Sequence, residues 1–183
     1  MAAGDGLVSM KPTSIAHSGT SASINADGGV DFTAVTELSL NGVFTSDYDN
    51  YLVVMEFTGS TSALVNINGK LRLSGTDATA TNYTVQQLSA YGTTIGRART
   101  SSLGFFAITW ANNEQRYGGH LHVYGPALAQ PTAFRSVNVA GYQNASFYDV
   151  ANTHSLSTAY DGLTIEPDSG NFTGQVHVFG YEE

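Results

Sequence analysis

The chain has 183 residues, a formal net charge of −8 and no cysteine. This length suits one domain with a sizeable core, and the lack of cysteine excludes disulfides, thiolate catalysis and cysteine-based zinc sites. With 7 Lys and Arg against 15 Asp and Glu, the composition argues against nucleic-acid binding, which needs clustered cations, and against a polybasic membrane contact. Only 12% of the residues are charged, about half the usual share, which suits a β-sandwich covered by neighbouring subunits.

The amino-terminal region predicts an arm rather than a leader peptide. Residues 1–7 lack a basic segment followed by an apolar run, and no apolar run in the sequence approaches membrane-spanning length. We therefore expect synthesis and folding in a cytosol. Residues 13–24 alternate loosely around Gly19, which predicts a weak strand at an edge or exchanged with a neighbour. The expected domains are an N-terminal arm, residues 1–24, and a β-sandwich, residues 25–183.

The strongest predicted strand is Ser46–Phe57, which opens with the polar turn Asp47–Asn50. Apolar residues occupy both of its faces, which predicts a strand in a sheet interior that is covered on both sides. The turn resembles the start of a calcium loop, but the glycine and the distal glutamate of such a loop are missing. Turn chemistry at the entry to a strand is therefore the better interpretation.

Several other segments also have the period of two that is typical of strands. They include Phe32–Val43, Asn66–Ser74, Leu103–Trp110, Gly119–Tyr124, Phe134–Gln143, Leu163–Glu166 and Phe172–Tyr181. The aromatic-rich segment Leu103–Trp110 is expected to be a second central strand, and residues 144–152 are expected to form a loop. No segment of ten or more residues has a convincing helical period. We predict an all-β, antiparallel two-sheet β-sandwich, jelly-roll-like, with about ten strands.

The residues that could carry chemistry give no enzyme signature. His120 and His122 share a strand face, and with His177 they would offer imidazoles to a metal. The sequence places no third ligand, however, and strand histidines beside aromatic residues usually pack or donate hydrogen bonds. There is no Gly-x-Ser-x-Gly elbow, no recognisable pair of catalytic carboxylates and no phosphate loop. We predict no enzymatic activity, no cofactor and no bound metal.

Arg97 and Arg99 lie in the only local concentration of positive charge, residues 96–102. Two arginines often belong to a solvated loop, but here they are also candidates for gripping an acidic partner surface. We therefore include both among the expected partner contacts.

Aromatic residues supply the other expected contacts, Trp110, Phe147 and Tyr148. With Tyr91 and Tyr142 they would form a platform for carbohydrate, although loop aromatics more often pack at subunit interfaces.

Four stretches of the chain together carry a resemblance. They are L-N-G-V-F-T-S-D-Y-D-N-Y at Leu40–Tyr51, L-R-L-S-G-T-D at Leu71–Asp77 followed by N-Y-T at Asn82–Thr84, H-V-Y-G-P at His122–Pro126, and T-A-Y-D-G-L-T-I-E-P with F-T-G-Q-V-H-V-F-G-Y within Thr158–Tyr181. This pattern resembles a group of virion structural proteins of tailed bacteriophages. The resemblance implies a β-sandwich without catalytic residues that acts by assembly.

Two positions in a virion fit this resemblance. A capsid decoration (cement) protein would bind the outer surface of the major capsid protein lattice, as a homotrimer, with the arm extending over a neighbour. A tail-fibre, tail-adaptor or receptor-binding module would instead contact the tail or a host glycan. The sequence has no coiled-coil or collagen-like segment, and its low charge suits broad protein contacts. We therefore expect decoration of the capsid surface.

Overall fold

The computed structural model describes residues 6–113, 116–140 and 146–182. These residues contain no α-helix, and so none that could cross a membrane. They form fourteen strands: β1 (Leu7–Ser9), β2 (Ser14–Ile24), β3 (Val30–Asn41), β4 (Asn50–Gly59), β5 (Val65–Leu73), β6 (Thr76–Asp77), β7 (Tyr83–Tyr91), β8 (Thr94–Leu103), β9 (Phe106–Ala111), β10 (Tyr117–Tyr124), β11 (Thr132–Ala140), β12 (Ser146–His154), β13 (Gly162–Pro167) and β14 (Phe172–Tyr181). The all-β prediction is confirmed, with more strands than the ten expected.

The strands pair in one antiparallel sheet that curls around a single core. Its order is β6-β5-β13-β3-β14-β4-β10-β11-β12-β7-β8, with β1 on β14, β2 on β3 and β9 on β5. Strand β9 pairs with β5, near one end of this order, and it contacts β11, β12 and β7, which lie toward the other end. The sheet therefore folds over onto itself. The predicted antiparallel, sandwich-like architecture is therefore confirmed, and a continuous curled sheet supplies both of its layers.

Strand β4 lies near the middle of the sheet, between β14 and β10, as predicted. Tyr51, Val53, Met55 and Phe57 point into the core, and none is more than 3% exposed. The Tyr51 hydroxyl donates to the Thr45 carbonyl at 2.7 Å and accepts from the Thr45 amide at 2.8 Å. These two bonds tie the entry turn to the strand, so the turn interpretation of residues 47–50 agrees with the structure.

The other face of β4 differs from the prediction. Leu52 and Glu56 are only half-buried, and Val54 is 42% exposed. The second layer lies against the Tyr51 side alone, so the expectation that β4 is covered on both faces is wrong. An apolar strand face is left open to solvent.

The described part of the predicted N-terminal arm belongs to the sheet of its own chain. Strand β1 pairs with β14, and β2 pairs with β3 from Ser14 opposite Asn41 to Ile24 opposite Val30. Met10, between the two strands, is buried. Deleting residues 1–24 would therefore remove two strands and expose β3, so the deletion cannot separate binding from folding.

Leu103–Trp110 was expected to be a second central strand, and the structure corrects this. Residue 103 ends β8, and β9 begins at Phe106 and pairs only with β5. The Phe106 ring packs directly on the backbone of Gly69 and stacks on Phe134 of β11, with 4.4 Å between ring centroids. The aromatic residues therefore join the two ends of the curled sheet across the core.

Candidate functional site

The three histidines considered as metal ligands lie on the outward side of the sheet and have other partners. The His120 and His122 ring centroids are 5.1 Å apart, and His177 is on β14, with β4 between it and β10. His122 Nδ1 shares a hydrogen bond with the Tyr181 hydroxyl at 2.8 Å, and His177 Nε2 shares one with Ser9 Oγ at 2.7 Å. Within the described ranges, no three His, Asp or Glu side chains are grouped to hold a metal ion.

Two of the five predicted contact residues point away from the outward surface. Tyr148 lies in strand β12, not in the loop predicted for residues 144–152, and is 1% exposed. Trp110 packs edge-on against Tyr148, with 4.3 Å between ring centroids, and its indole Nε1 donates to Asn66 Oδ1 at 2.6 Å. Tyr142 lies outside the described residues. The aromatic platform suggested by the sequence is therefore not assembled from Trp110, Phe147 and Tyr148.

The other three predicted contacts share one surface. Phe147 is 41% exposed and neighbours Tyr148 on the opposite side of β12. Arg97 and Arg99 belong to strand β8 rather than to a loop, and both are exposed. Arg97 pairs with Leu88 of β7 and Arg99 with Gln86. The structure therefore brings Arg97, Arg99 and Phe147 together on the outward side.

We call the outward side of β3, β14, β4, β10, β11, β12, β7 and β8 the open face. Cross-strand pairing arranges its side chains in rows. The first row is Asp31, Gln175, Glu56, Gly118, Val139, Phe147, Ala90 and Ile95. The second row is His177, Val54, His120, Val137, Asp149, Leu88 and Arg97.

Large apolar side chains project from the open face into solvent. The exposed fraction is 78% for Ile95, 65% for Val139, 46% for Leu88, 42% for Val54 and 41% for Phe147. Single exposed apolar residues are common on soluble proteins, but a contiguous group on one sheet face usually marks a contact surface. The described part of the chain leaves this group uncovered.

Gly118 opens a groove in the middle of the first row. A Cβ atom built on Gly118 would meet nothing within 4 Å, although its cross-strand neighbours carry full side chains. Two cavities meet at this gap. One, of about 450 Å³, is lined by Asp27, Asp31, Glu56, Gln175 and His177 among others. The other, of about 520 Å³, is apolar and lined by Val54, His120, Val137 and Val139 among others.

The open face also carries opposite charges at its two ends. Four of the chain's seven cations form ion pairs: Lys70 with Glu166, Arg72 with Asp77, Arg116 with Glu56, and Arg135 with Asp149. Among the described residues, Arg97 and Arg99 form no ion pair and lie at the β8 end. The exposed carboxylates of Asp27 and Asp31 lie at the β3 end, where the backbone of exposed Lys11, another cation that forms no ion pair among the described residues, lies close to Gly28.

Between these ends, the open face holds two charged pairs, Arg116 with Glu56 and Arg135 with Asp149, and one histidine with an altered pKa. Arg135 donates two hydrogen bonds to the Asp149 carboxylate, at 3.0 and 2.7 Å, and this contact lowers the pKa of Asp149. Burial, then His120, then Arg135 lower the pKa of His122. The two charged pairs in the middle of the face each carry no net charge.

Gly118, Val139, Leu88 and Ile95 lie on the open face and were not among the site residues predicted from the sequence. A signal for them exists in β11, where Val137 and Val139 alternate with Ser136 and Asn138. The pattern indicates a strand but not which set faces the core. Ser136 and Asn138 are buried, and Val139 is exposed. In β11, therefore, the exposed apolar side chains come from an alternation whose phase is opposite to the usual one.

No protein-family model and no curated protein sequence matches the chain. Among solved structures, it is similar to the CBM2 module of the evolved Dit of Lactobacillus casei BL23 phage J-1, with 9% sequence identity and a TM-score of 0.31. The alignment covers 97% of this chain and 98% of that one. A TM-score this low does not transfer function, so functional conclusions rest on the open face itself.

Proposed function

We propose that the chain is a non-enzymatic structural protein of a tailed-phage virion that works by protein–protein association through its open face. The observation that carries this proposal is the group of five apolar side chains, 41–78% exposed, on one uncovered sheet face. Covering such a surface releases about 25 cal/mol per Å² of apolar area removed from water. A partner protein would therefore bind there with a substantial hydrophobic contribution.

The more specific form of the proposal is a capsid decoration protein on the outer surface of the major capsid protein lattice. The virion assignment rests on the sequence resemblance. The aliphatic character of the open face supports a protein partner, because Ile, Leu and Val side chains match protein surfaces better than they match hydroxyl-rich sugars. In this proposal the protein stabilises the head, and its homotrimeric state remains a prediction.

One observation favours the alternative of a tail or receptor-binding module for a host glycan. The rings of Tyr124 and Tyr181 lie nearly parallel to that of His122, at 8° and 12°, with 6.1 and 6.0 Å between centroids. Sugars stack on such ring faces. A glycan array tests this, since saturable binding that is lost in Tyr124→Ala would support the alternative. Tyr148→Ala would not serve, because it disturbs the core.

A binding assay on capsids purified without this protein tests the main proposal. The variant Leu88→Ser/Phe147→Ser should bind at least about tenfold more weakly, because each half-exposed side chain contributes about 1–2 kcal/mol when covered. The matched control is Leu73→Ser/Leu156→Ser, which removes side chains 44% and 40% exposed outside the open face. Equal capsid affinity of the two double variants would contradict the proposal.

The copy number per virion separates decoration from a tail position. Quantitative mass spectrometry of purified particles should find hundreds of copies for a decoration protein. A dozen or so copies would instead assign the chain to the tail.

A further inference from the structure

A cleft separate from the open face lies where β5 and the β7–β8 hairpin, from opposite ends of the sheet order, approach each other. Its volume is about 190 Å³. Asn66 and Asn68 of β5 line one wall, and Gln87, Ala98 and Thr100 of the hairpin line the other. Gln87 and Ala98 are cross-strand partners that alternate with the open-face residues of the same two strands. The cleft therefore lies on the opposite side of the hairpin from the open face.

The cleft is uncharged and partly apolar. None of the nine residues that line it has an ionisable side chain. Arg99, next to Thr100 in the chain, pairs with Gln86 and belongs to the open face instead. The half-buried Phe105 contributes an aromatic ring at the connection between β8 and β9. An anionic ligand would enter without a counter-charge, so the lining favours a neutral one.

The wall formed by β5 offers a donor whose direction is fixed. Trp110 Nε1 donates to Asn66 Oδ1 at 2.6 Å, and Asn66 Nδ2 donates to Asp168 Oδ2 at 2.6 Å. An indole N–H can only donate, so these bonds identify which atom of the Asn66 amide is the oxygen. The amide nitrogen keeps one further hydrogen, which can bond to a ligand in the cleft.

The same wall contains a buried amide with an unused acceptor. Asn68 is 5% exposed, and its Oδ1 has no hydrogen-bond partner among the residues that the structure describes. Buried side-chain oxygens nearly always accept a hydrogen bond, which indicates that a donor from outside the chain supplies one here. On the opposite wall, Gln87 and Thr100 add an amide and a hydroxyl group, and each of these can both donate and accept.

We propose that this cleft binds one ring of a neutral sugar. Sugar hydroxyl groups both donate and accept, which matches the amides and the hydroxyl group on the two walls. The C–H groups of the ring would pack against Phe105 and the aliphatic side chains beside it, as in small-molecule sites that combine apolar lining with a few polar groups. The volume corresponds to about six water molecules, which is enough for one ring. The site goes beyond the proposed function and leaves the open face available to a protein partner.

Trp110 provides a reporter for the binding experiment. It is the only tryptophan of the chain, and its indole N–H donates to a residue of the cleft wall. In a proton–nitrogen correlation spectrum of the full chain, the single indole signal should shift when a ligand bonds to Asn66. The probes are glucose, galactose, mannose and N-acetylglucosamine, each titrated to about 100 mM. A ligand of about twelve to fifteen non-hydrogen atoms should bind with a Kd of about 1–10 mM.

Two variants test whether the sugar occupies the cleft. Ala98→Phe, at an exposed position of the hairpin, fills the cleft and should abolish the shift. Thr100→Val removes one hydroxyl group without changing the shape of the side chain and should weaken binding at least about threefold. The matched control is Thr84→Val, the same substitution on the open-face side of β7, which should leave the Kd unchanged. Thermal unfolding checks that every variant is folded.

The outcomes separate this inference from the proposed function. An indole signal that shifts with none of the four sugars, a shift that persists in Ala98→Phe, or a shift with adenosine but with no sugar would overturn the inference. Loss of the shift in Ala98→Phe alone would still assign the sugar to the cleft. Capsid binding should be the same in all three variants, because the cleft and the open face lie on opposite sides of the hairpin. A failed sugar titration would therefore leave the proposed function standing, and failed capsid binding would leave the sugar site standing.

Discussion

Gly118 and Gly119 are adjacent on β10, and they show how differently the two faces of this sheet are built. A Cβ atom on Gly119 would overlap the side-chain oxygen of Asn138 and crowd the Val137 carbonyl, so packing within the chain requires a glycine. A Cβ atom on Gly118 would meet nothing within 4 Å. The core face is closely packed at Gly119, whereas the open face has unfilled space at Gly118.

Strand β11 also has two different faces, but here polar side chains face the core and an apolar side chain faces solvent. Asn138, 3% exposed, donates from Nδ2 to the Ile108 carbonyl at 2.8 Å and to Ser136 Oγ at 2.6 Å. Ser136 Oγ donates to the same carbonyl at 2.9 Å. Val139, next to Asn138, projects into solvent on the open face. In β11, therefore, the buried polar side chains of Ser136 and Asn138 are hydrogen-bonded within the chain, and the apolar side chain of Val139 is exposed.

The largest effect we predict is a difference in the free energy of unfolding between substitutions of Gly119 and of Gly118. Gly119→Ala should lower the free energy of unfolding by about 2–3 kcal/mol, because the new methyl group overlaps backbone and a buried amide. Gly118→Ala should change it by less than about 0.5 kcal/mol. Urea denaturation of the two variants measures both values. Similar losses in both would show that the open face is as tightly packed as the core.

A smaller effect is expected from the neighbouring pair on β11. Asn138→Ala removes two hydrogen bonds and leaves a buried carbonyl with fewer donors, so it should cost about 1–3 kcal/mol of unfolding free energy. Val139→Asn makes the open face polar and should leave stability within about 0.5 kcal/mol while weakening association. Urea denaturation measures the change in stability, and the capsid-binding assay measures the change in association. A large loss of stability in Val139→Asn would contradict the assignment of this side chain to the open face.

Much of the fold could be predicted, because strand alternation and turn residues act locally. The turn at Asp47–Asn50 and the buried series that starts at Tyr51 were recognisable for this reason. A solvated loop was one interpretation of Arg97 and Arg99, and the Gly, Ala and Ser residues around them have weak strand propensity. Pairing with β7 overrides that propensity. Such hairpin pairing depends on the register of the whole strand rather than on local composition.

The open face could not be predicted, because alternation does not show which phase faces the core. In β11 the phase is decided by the Ile108 carbonyl on β9, 28 and 30 residues away from Ser136 and Asn138. In β4, apolar residues on both faces predicted that both faces are buried. The sequence does not show whether the second face is buried by the same chain or by another one. The chain itself does not cover this second face of β4, and for that reason we propose that a partner covers it.

The smallest effect we predict is a pH dependence of stability that arises from the buried His154. His154 is fully buried against Tyr83, with 4.3 Å between ring centroids, and burial lowers its pKa. Below the ordinary histidine pKa of about 6.5, His154 is protonated in the unfolded chain, whereas in the folded chain it stays neutral to a lower pH. Stability is therefore fully present above that pH and falls as the pH drops through it, by at most about 1.4 kcal/mol per pH unit for this group. His154→Phe should flatten the decline between pH 7 and 5 in urea denaturation. His122, on the open face, also has a lowered pKa, so part of the decline should remain in His154→Phe. A decline that is unchanged by His154→Phe would contradict the burial of this histidine.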